Sequence, residues 1–493
     1  MSATTSLLDR PWPTPDELAD ARASALELAR EAGVTGVAAS DVVVTLAPYR
    51  VCPLGAHVDH QGGRVLGMAL NCGITLAFVP VPDSARLPAS TVLLRSDAFA
   101  GEVRFDLLDD DESMPPSSSS AADAPGGWGA YPRGAAAVLR AALRPNPLRR
   151  GIVGVVRATP PNLARSGVSS SAALSVACVR ALSLAAAADE NASDALSRLG
   201  DDPLWRTIRL ARAVETERVG VKCGVLDQAS SILSRRGAVT LVDCATEAHE
   251  TVRFARDRAE PLGADSESPE AFGDAADDDD GRGALPFVVL LAHSGLRAAL
   301  SETKYNARVD EYPAAAIAAI DPRARRLGDV RGGRAAFETF RRSLRREQET
   351  SEADAAFLRR ATHYFDEVDR VAAGTAAWRR GDVRAFGAAM NASGVSSIEL
   401  YECGCEPMNA LRATAERAPG VYGARFSGAG FRGCVVALAE RARAAEAAEW
   451  IAERYARAFP DLAKDAGVVL AESSHGARTI LAAEVANDAR RGE

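Results

Sequence analysis

Short apolar runs alternate with longer helical patterns along this chain. In the first half, Val42–Leu46, Gly73–Val79, Thr91–Leu94, Gly151–Arg157 and Ala238–Val242 have the length and residue types of strands. Between them, Trp128–Leu143, Ser170–Ala187 and Pro203–Val219 carry helical patterns. The second half opens with a predicted strand at Phe287–His293, followed by helices near Ala298–Tyr312, Asp354–Ala373 and Pro407–Arg417. Strands at Val421–Phe426 and Gly433–Ala439, a helix at Ala442–Ala458 and a strand at Gly467–Leu470 complete it. Both halves read as α+β with mixed sheets, and no internal repeat is present.

Two stretches break the pattern. Asp109–Gly127 is acidic, then Ser-rich, then Pro/Gly, and Asp257–Gly283 contains four consecutive aspartates flanked by glycine. Neither can bury a core, so both read as disordered surface insertions. A chain of 493 residues exceeds a single core. The second insertion falls where a boundary is expected, giving an N-terminal domain over 1–256 and a C-terminal domain over 284–493.

Composition narrows the class. Apolar content of 47% and charged content of 25% are those of a soluble globular protein. No apolar run approaches the ~20 residues of a membrane span. The first residues lack a basic region followed by an apolar core, so no signal peptide is read and a cytoplasmic location is expected. A net charge of −8 argues against nucleic acid as a general partner. The eight cysteines are scattered, which suits a reducing compartment. Cys403-Gly404-Cys405 is their only close pair, and no second Cys or His pair accompanies it to hold a metal. Lysine occurs only at 222, 304 and 464, against abundant Arg and Ala. That bias lowers the weight of any Ala-rich helix pattern.

Four segments carry candidate chemistry. Pro160–Leu174 reads PPNLARSGVSSSAAL, between a predicted strand and a predicted helix. Strand, small-residue loop and helix start present backbone N–H groups and a positive dipole end to an anion. No Walker-type loop is present, so any phosphate is bound by another architecture. Ala47–Gly63 reads APYRVCPLGAHVDHQGG, a polar turn crowding Arg50, His57, Asp59 and His60. Such a set can bind vicinal hydroxyls, or it can simply face water. Asp227 follows the loop Gly220–Gly224, where it can act as a base, hold a metal or cap a helix. Ser427–Cys434, SGAGFRGC, is either a tight hairpin or a place of close backbone approach.

Taken together and in order, these segments resemble the GHMP small-molecule kinases, in their galactokinase-like branch. The sugar motif G-R-x-N-L-I-G-E-H-x-D-Y-N-x-G corresponds to Tyr49–Gly63, and the phosphate loop G-L-S-S-S-A to Gly167–Ala172. C-G-I-M-D-Q corresponds to Cys223–Gln228, and G-G-G-F-G-G-C to Gly428–Cys434. An R-x7-Y segment matches Arg297 and Tyr305, and W-x-x-Y-x-x-G matches Trp128–Gly134. The resemblance spans roughly residues 40–475. It implies a two-domain GHMP kinase fold, with a ribosomal-protein-S5-like N-terminal domain and a ferredoxin-like C-terminal domain. The active site would lie in the cleft between them.

It also implies roles. Asp227 would take the proton from an anomeric hydroxyl attacking the γ-phosphate of ATP. Arg50 would keep Asp227 ionised and stabilise charge on the transferring group. Mg²⁺ would be held by Ser171 and Glu215, both hard oxygen donors. Arg165, Ser166, Gly167, Val168, Ser169, Ser170 and Ser171 would cradle the phosphates, with Trp128 near adenine. His57, Asp59, Gly224 and Tyr305 would line the sugar.

The chain departs from the motif at the Glu of G-E-H, which is Ala56. In galactokinases that Glu accepts a hydrogen bond from the C6 hydroxyl. A hexuronic acid carries a carboxylate there, and a Glu at ~4 Å would repel it by about 4 kcal/mol at an effective dielectric of 20. Ala56 removes that repulsion, and Lys222 and Lys304 are the expected cations. The variant triplet resembles plant members of the branch that act on galacturonate. The expected reaction is ATP-dependent phosphorylation of D-galacturonic acid at O1, with galactose and glucuronic acid as alternatives. A catalytically inactive sugar sensor is the reading from another class, against which Ser170, Ser171, Ala172, Glu215, Asp227 and Arg50 all stand. A small-molecule substrate, no membrane, and a monomer or small homo-oligomer are expected. Tyr49 and Arg165 depart from the motif with no evident consequence.

Overall fold

The computed structural model describes residues 4–109, 121–122, 127–144, 148–164, 166–187, 202–255, 285–296, 303–344 and 351–481. The 257–283 insertion, most of 109–127, Arg165 and Arg297 lie outside the described residues.

The strands, in chain order, are β1 (Thr4–Ser6), β2 (Val43–Leu54), β3 (Arg64–Pro80), β4 (Thr91–Ser96), β5 (Val103–Asp106), β6 (Ile152–Thr159), β7 (Ala238–Asp243), β8 (His249–Arg253), β9 (Phe287–His293), β10 (Val421–Phe426), β11 (Cys434–Glu440), β12 (Gly467–Ala471) and β13 (Arg478–Ile480). They form two mixed sheets. One runs β13-β2-β3-β6-β4-β5, with β7 on the start of β3 and β8 on β7. The other runs β1-β12-β9-β11-β10. β4 pairs with β6, and β1 with β12, in parallel; the remaining pairs are antiparallel. The terminal strands cross over. β1 joins the sheet otherwise built after residue 285, and β13 joins the sheet otherwise built before residue 255.

The polar turn expected from Ala47 onward is instead strand as far as Leu54, and β2 is buried over nearly its whole length. Its polar look misleads because Arg50 is paired internally rather than solvated. Pairing with β3 slips between Pro48 and Arg50 and again between Val51 and Leu54. Such irregularities re-aim side chains where a regular pleat would alternate them. The helices Ser170–Ala186 and Leu226–Leu233 pack on β2 and β3, which explains the burial of both strands.

Several elements depart from the sequence pattern. The first helix, Pro15–Glu31, is capped reciprocally by Thr14 and Glu17. The Thr-Pro-Asp-Glu start is its signature. The helix Val383–Glu399 has glycine and serine within it, which lowers its helical propensity. Packing overrides that loss. A Cβ at Gly387 would lie 2.3 Å from the Tyr422 carbonyl oxygen, so only glycine lets this helix meet β10. The predicted helix Pro203–Val219 is α-helical to Ala213 and then widens into a π-turn over Val214–Val219.

The core beneath the second sheet centres on Trp378. It is fully buried, with ring centroids of Phe254, Phe287 and Phe386 at 5.1, 5.3 and 4.7 Å. Trp378→Ala is expected to cost about 3–5 kcal/mol, read as a lower denaturation midpoint. A midpoint within 1 °C of the parent (a loss well under ~1 kcal/mol) would show that the cluster can collapse around the gap.

Candidate active site

Arg50 and Asp227 meet at the centre. The irregular pairing of β2 places Arg50 against the first turn of the helix Leu226–Leu233, where Asp227 sits. Nε and Nη2 of Arg50 donate to Oδ1 of Asp227 at 2.8 and 2.5 Å. Nη1 donates to the Ser427 carbonyl at 3.0 Å. Burial alone would lower the Arg50 pKa, but the Asp227 charge carries it above its ordinary value. The other oxygen of Asp227 accepts from the Ser169 hydroxyl at 2.6 Å.

Ser169 precedes the helix Ser170–Ala186 with φ +57°, a left-handed conformation that costs a non-glycine residue about 1–3 kcal/mol. The small-residue loop thus ends where the helix presents its free N–H groups. Its other members divide. Val168 is buried, the Ser170 hydroxyl donates to the Ala164 carbonyl, and the Ser166 hydroxyl to the Asn162 carbonyl at 2.8 Å. Close backbone approach explains the glycines of SGAGFRGC. A Cβ at Gly433 would lie 2.9 Å from Gly167 Cα, and one at Gly428 would lie 3.0 Å from the Gly167 carbonyl oxygen. The hairpin between β10 and β11 therefore rests directly on the small-residue loop.

Ser171 lies in the first turn of the helix Ser170–Ala186, beside Glu215 and Tyr131. Glu215 lies in the π-turn, 4% exposed, and accepts from the Gln228 amide. Burial first, then the nearby Asp227 charge, pushes its carboxyl up to about 7. A buried carboxylate with only neutral hydrogen-bond partners is a place for a cation. Among the described residues no cluster of three His, Cys, Asp or Glu forms a metal cage. One carboxylate and one hydroxyl fit Mg²⁺, which takes few protein ligands and completes its shell with phosphates and water.

The residues expected to line the sugar, His57, Asp59, Gly224 and Tyr305, lie near one another. Asp59 Oδ2 accepts from the Leu226 N–H at 3.4 Å, and a Cβ at Gly224 would lie 2.3 Å from that same oxygen. Burial raises the Asp59 pKa, but His60, 3.7 Å away, and the Leu226 N–H hold it below the usual range. His57 has φ +61°, is kept neutral by burial, and stacks on Tyr401 with centroids 4.1 Å apart. Its ring lies 6.5 Å from that of Tyr305.

Three expected residues sit elsewhere. Trp128, expected beside adenine, is 3% exposed, stacks on Phe99 and donates to the Ala100 carbonyl, so its ring belongs to the core. Lys222 is half-exposed and bonded to Asp310 at 2.5 Å, and Lys304 precedes a short helix, exposed to solvent. The surface offers each lysine a cheaper position than a buried ammonium would have. The buried cation that acts on His57 is Arg425, 1% exposed, whose Nη1 donates to the Cys52 carbonyl at 3.0 Å.

Comparison with known proteins shows the family. Residues 375–457 match the GHMP kinases C terminal family. A galacturonokinase of Arabidopsis thaliana is 36% identical over 484 residues, which is 95% of this chain and 100% of that protein. The chain belongs to the galactokinase-like GHMP sugar kinases. The galactokinase of Bos taurus is 29% identical, over 87% of the kinase described here and 92% of its own length. The crystal structure of Lactococcus lactis galactokinase complexed with galactose shares the fold, with a TM-score of 0.69 at 23% identity, over 92% and 98% of the two chains. No helix of this kinase, among its described residues, is long and apolar enough to cross a membrane.

Sequence reasoning missed a polar row that meets the backbone of residues 55 and 56. Arg360, His363, Glu367 and Arg370 follow one another on the helix Glu352–Arg379 at spacings that keep them on one face. Arg360, His363 and Glu367 are fully buried. The helical spacing of charged and imidazole groups was the available signal.

Glu215 gives a pH test in the ligand-free kinase. Its folded pKa lies above the unfolded value, so the folded state holds a proton that the unfolded chain releases between about pH 4.5 and 7. This contribution to stability is present below that window and is lost as pH rises through it. Glu215→Gln is expected to flatten the fall of Tm with pH across the window. An unchanged slope would place Glu215 in the ordinary carboxylate range.

Proposed function

We propose that this kinase transfers the γ-phosphate of ATP to the anomeric hydroxyl of D-galacturonic acid, giving galacturonate 1-phosphate and ADP. The observation that carries the choice of acceptor is Ala56, where the galactokinase motif has Glu. A small, uncharged side chain there tolerates a carboxylate on C6. The full-length likeness to a galacturonokinase supports the same choice.

Asp227 accepts the proton of O1 as the O1–phosphorus bond forms and the bond from phosphorus to the β,γ-bridging oxygen breaks. Arg50 orients Asp227 through two N–H groups and brings positive charge to the transferring phosphoryl group. Ser169 holds the second oxygen of Asp227, which leaves the carboxylate little rotational freedom. Backbone N–H groups of the 166–171 loop bind the phosphates. Ser171 and Glu215 would hold Mg²⁺, which when bound neutralises phosphate charge. His57, Asp59 and Tyr305 bind the sugar hydroxyls. Cytoplasmic activity as a monomer or small homo-oligomer belongs to the same reading.

Side-by-side assays with ATP and galacturonate, glucuronate or galactose test the acceptor. Galacturonate is expected to give the highest kcat/KM; equal or better turnover of galactose would remove the C6-carboxylate argument. Asp227→Asn is expected to lower kcat by at least about 10²–10⁴-fold, the usual range for a general base, with Tm nearly unchanged. A variant that keeps its rate would exclude Asp227 as the base. Ala56→Glu is expected to raise KM for galacturonate about tenfold or more and to affect galactose less. Equal penalties on both sugars would show that residue 56 does not face C6.

A further inference from the structure

The backbone of residues 55–57 is irregular. Gly55 (φ +95°) and His57 (φ +61°) flank Ala56. A Cβ at Gly55 would lie 2.6 Å from Val65 Cα, so no larger residue can stand there. A histidine stays in the left-handed region only when its surroundings over-determine it.

Two side chains from the other half of the molecule supply that constraint. Oε1 of Glu367 accepts from the N–H groups of Gly55 and Ala56, at 2.9 and 3.2 Å, and from the Ser393 hydroxyl. Its Oε2 accepts from Arg370 at 2.8 Å. Nε2 of His363 lies 3.0 Å from the Ala56 carbonyl oxygen, and Nδ1 lies 2.8 Å from the Ser396 hydroxyl. A carbonyl oxygen only accepts, so Nε2 carries the proton and Nδ1 accepts from Ser396. Both polar backbone groups of Ala56 are therefore bound by buried side chains four residues apart on one helix. The phosphate-side groups are held by other partners: Arg50 and Ser169 for Asp227, and Gln228 for Glu215.

We propose that Glu367 and His363 are positioning residues for the sugar acceptor. They set the path of residues 55–57, and through it the placement of His57 and the space beside Ala56. This rests on the reading of residues 56–59 as the acceptor wall. A merely structural pair would lower stability without favouring one substrate. A positioning pair acts on the acceptor and spares ATP.

Steady-state kinetics on the full-length kinase separate the two, with each substrate varied in turn and Tm recorded. His363→Leu is expected to raise KM for galacturonate about tenfold while KM for ATP stays within about twofold. His363→Gln, whose amide N–H can reach the same carbonyl, is expected to recover most of that loss. Glu367→Gln, which keeps the shape but loses the charge, is expected to raise the sugar KM in the same selective way. Unchanged sugar KM in these variants, or parallel changes in both KM values that track Tm, would overturn the proposal. If His363→Leu does not fold, His363→Asn, too short to reach the carbonyl, takes its place against His363→Gln. Turnover of galactose alone by the parent would defeat the galacturonate reading, and the same KM split measured with galactose would then decide this proposal.

Discussion

One buried guanidinium connects the parts of this molecule that must act together. Arg50 comes from the sugar-motif strand and grips Asp227 on one helix and the Ser427 carbonyl on the far hairpin. Its own backbone N–H donates to the Val168 carbonyl in the small-residue loop at 3.2 Å. Placing an arginine at 4% exposure is costly unless nearly every donor is met. Meeting them forces strand, loop, helix and hairpin to one point. The glycines at 167, 428 and 433 are needed because that convergence leaves no room for side chains between loop and hairpin.

The sequence made this centre legible because its parts are local. Loop, strand end and helix start announce themselves in a few residues each. The strand Phe287–His293 follows from a continuous apolar run, and it and Val421–Phe426 keep their predicted limits. Less visible was anything decided by packing. The helix Val383–Glu399 is stabilised by contact with β10, not by propensity, so its glycines and serines hid it. Strand β2 looked like a turn because its guanidinium is met by partners 177 and 377 positions away.

The segment around His57 shows the same division. His57 and Asp59 are readable from a motif, but the side chains that bind the backbone of Gly55 and Ala56 arrive from one helix more than 300 residues downstream. The two lysines marked as cations failed for a physical reason. Rarity in a sequence says nothing about where four flexible methylenes will lead an ammonium group, and solvent is the default. Arg425, one of many arginines, is by contrast buried and acts on the His57 ring.

The crossed terminal strands have a mechanical consequence. Each sheet is closed on one side by a strand from the opposite end of the chain, so the two layers are laced together. Removing Thr4–Ser6 would strip β12 of its parallel neighbour and expose an edge rich in valine and leucine. Such an edge can recruit strands from other molecules. Tags and truncations at the N-terminus therefore bear on the solubility of the sheet built from the C-terminal part of the chain.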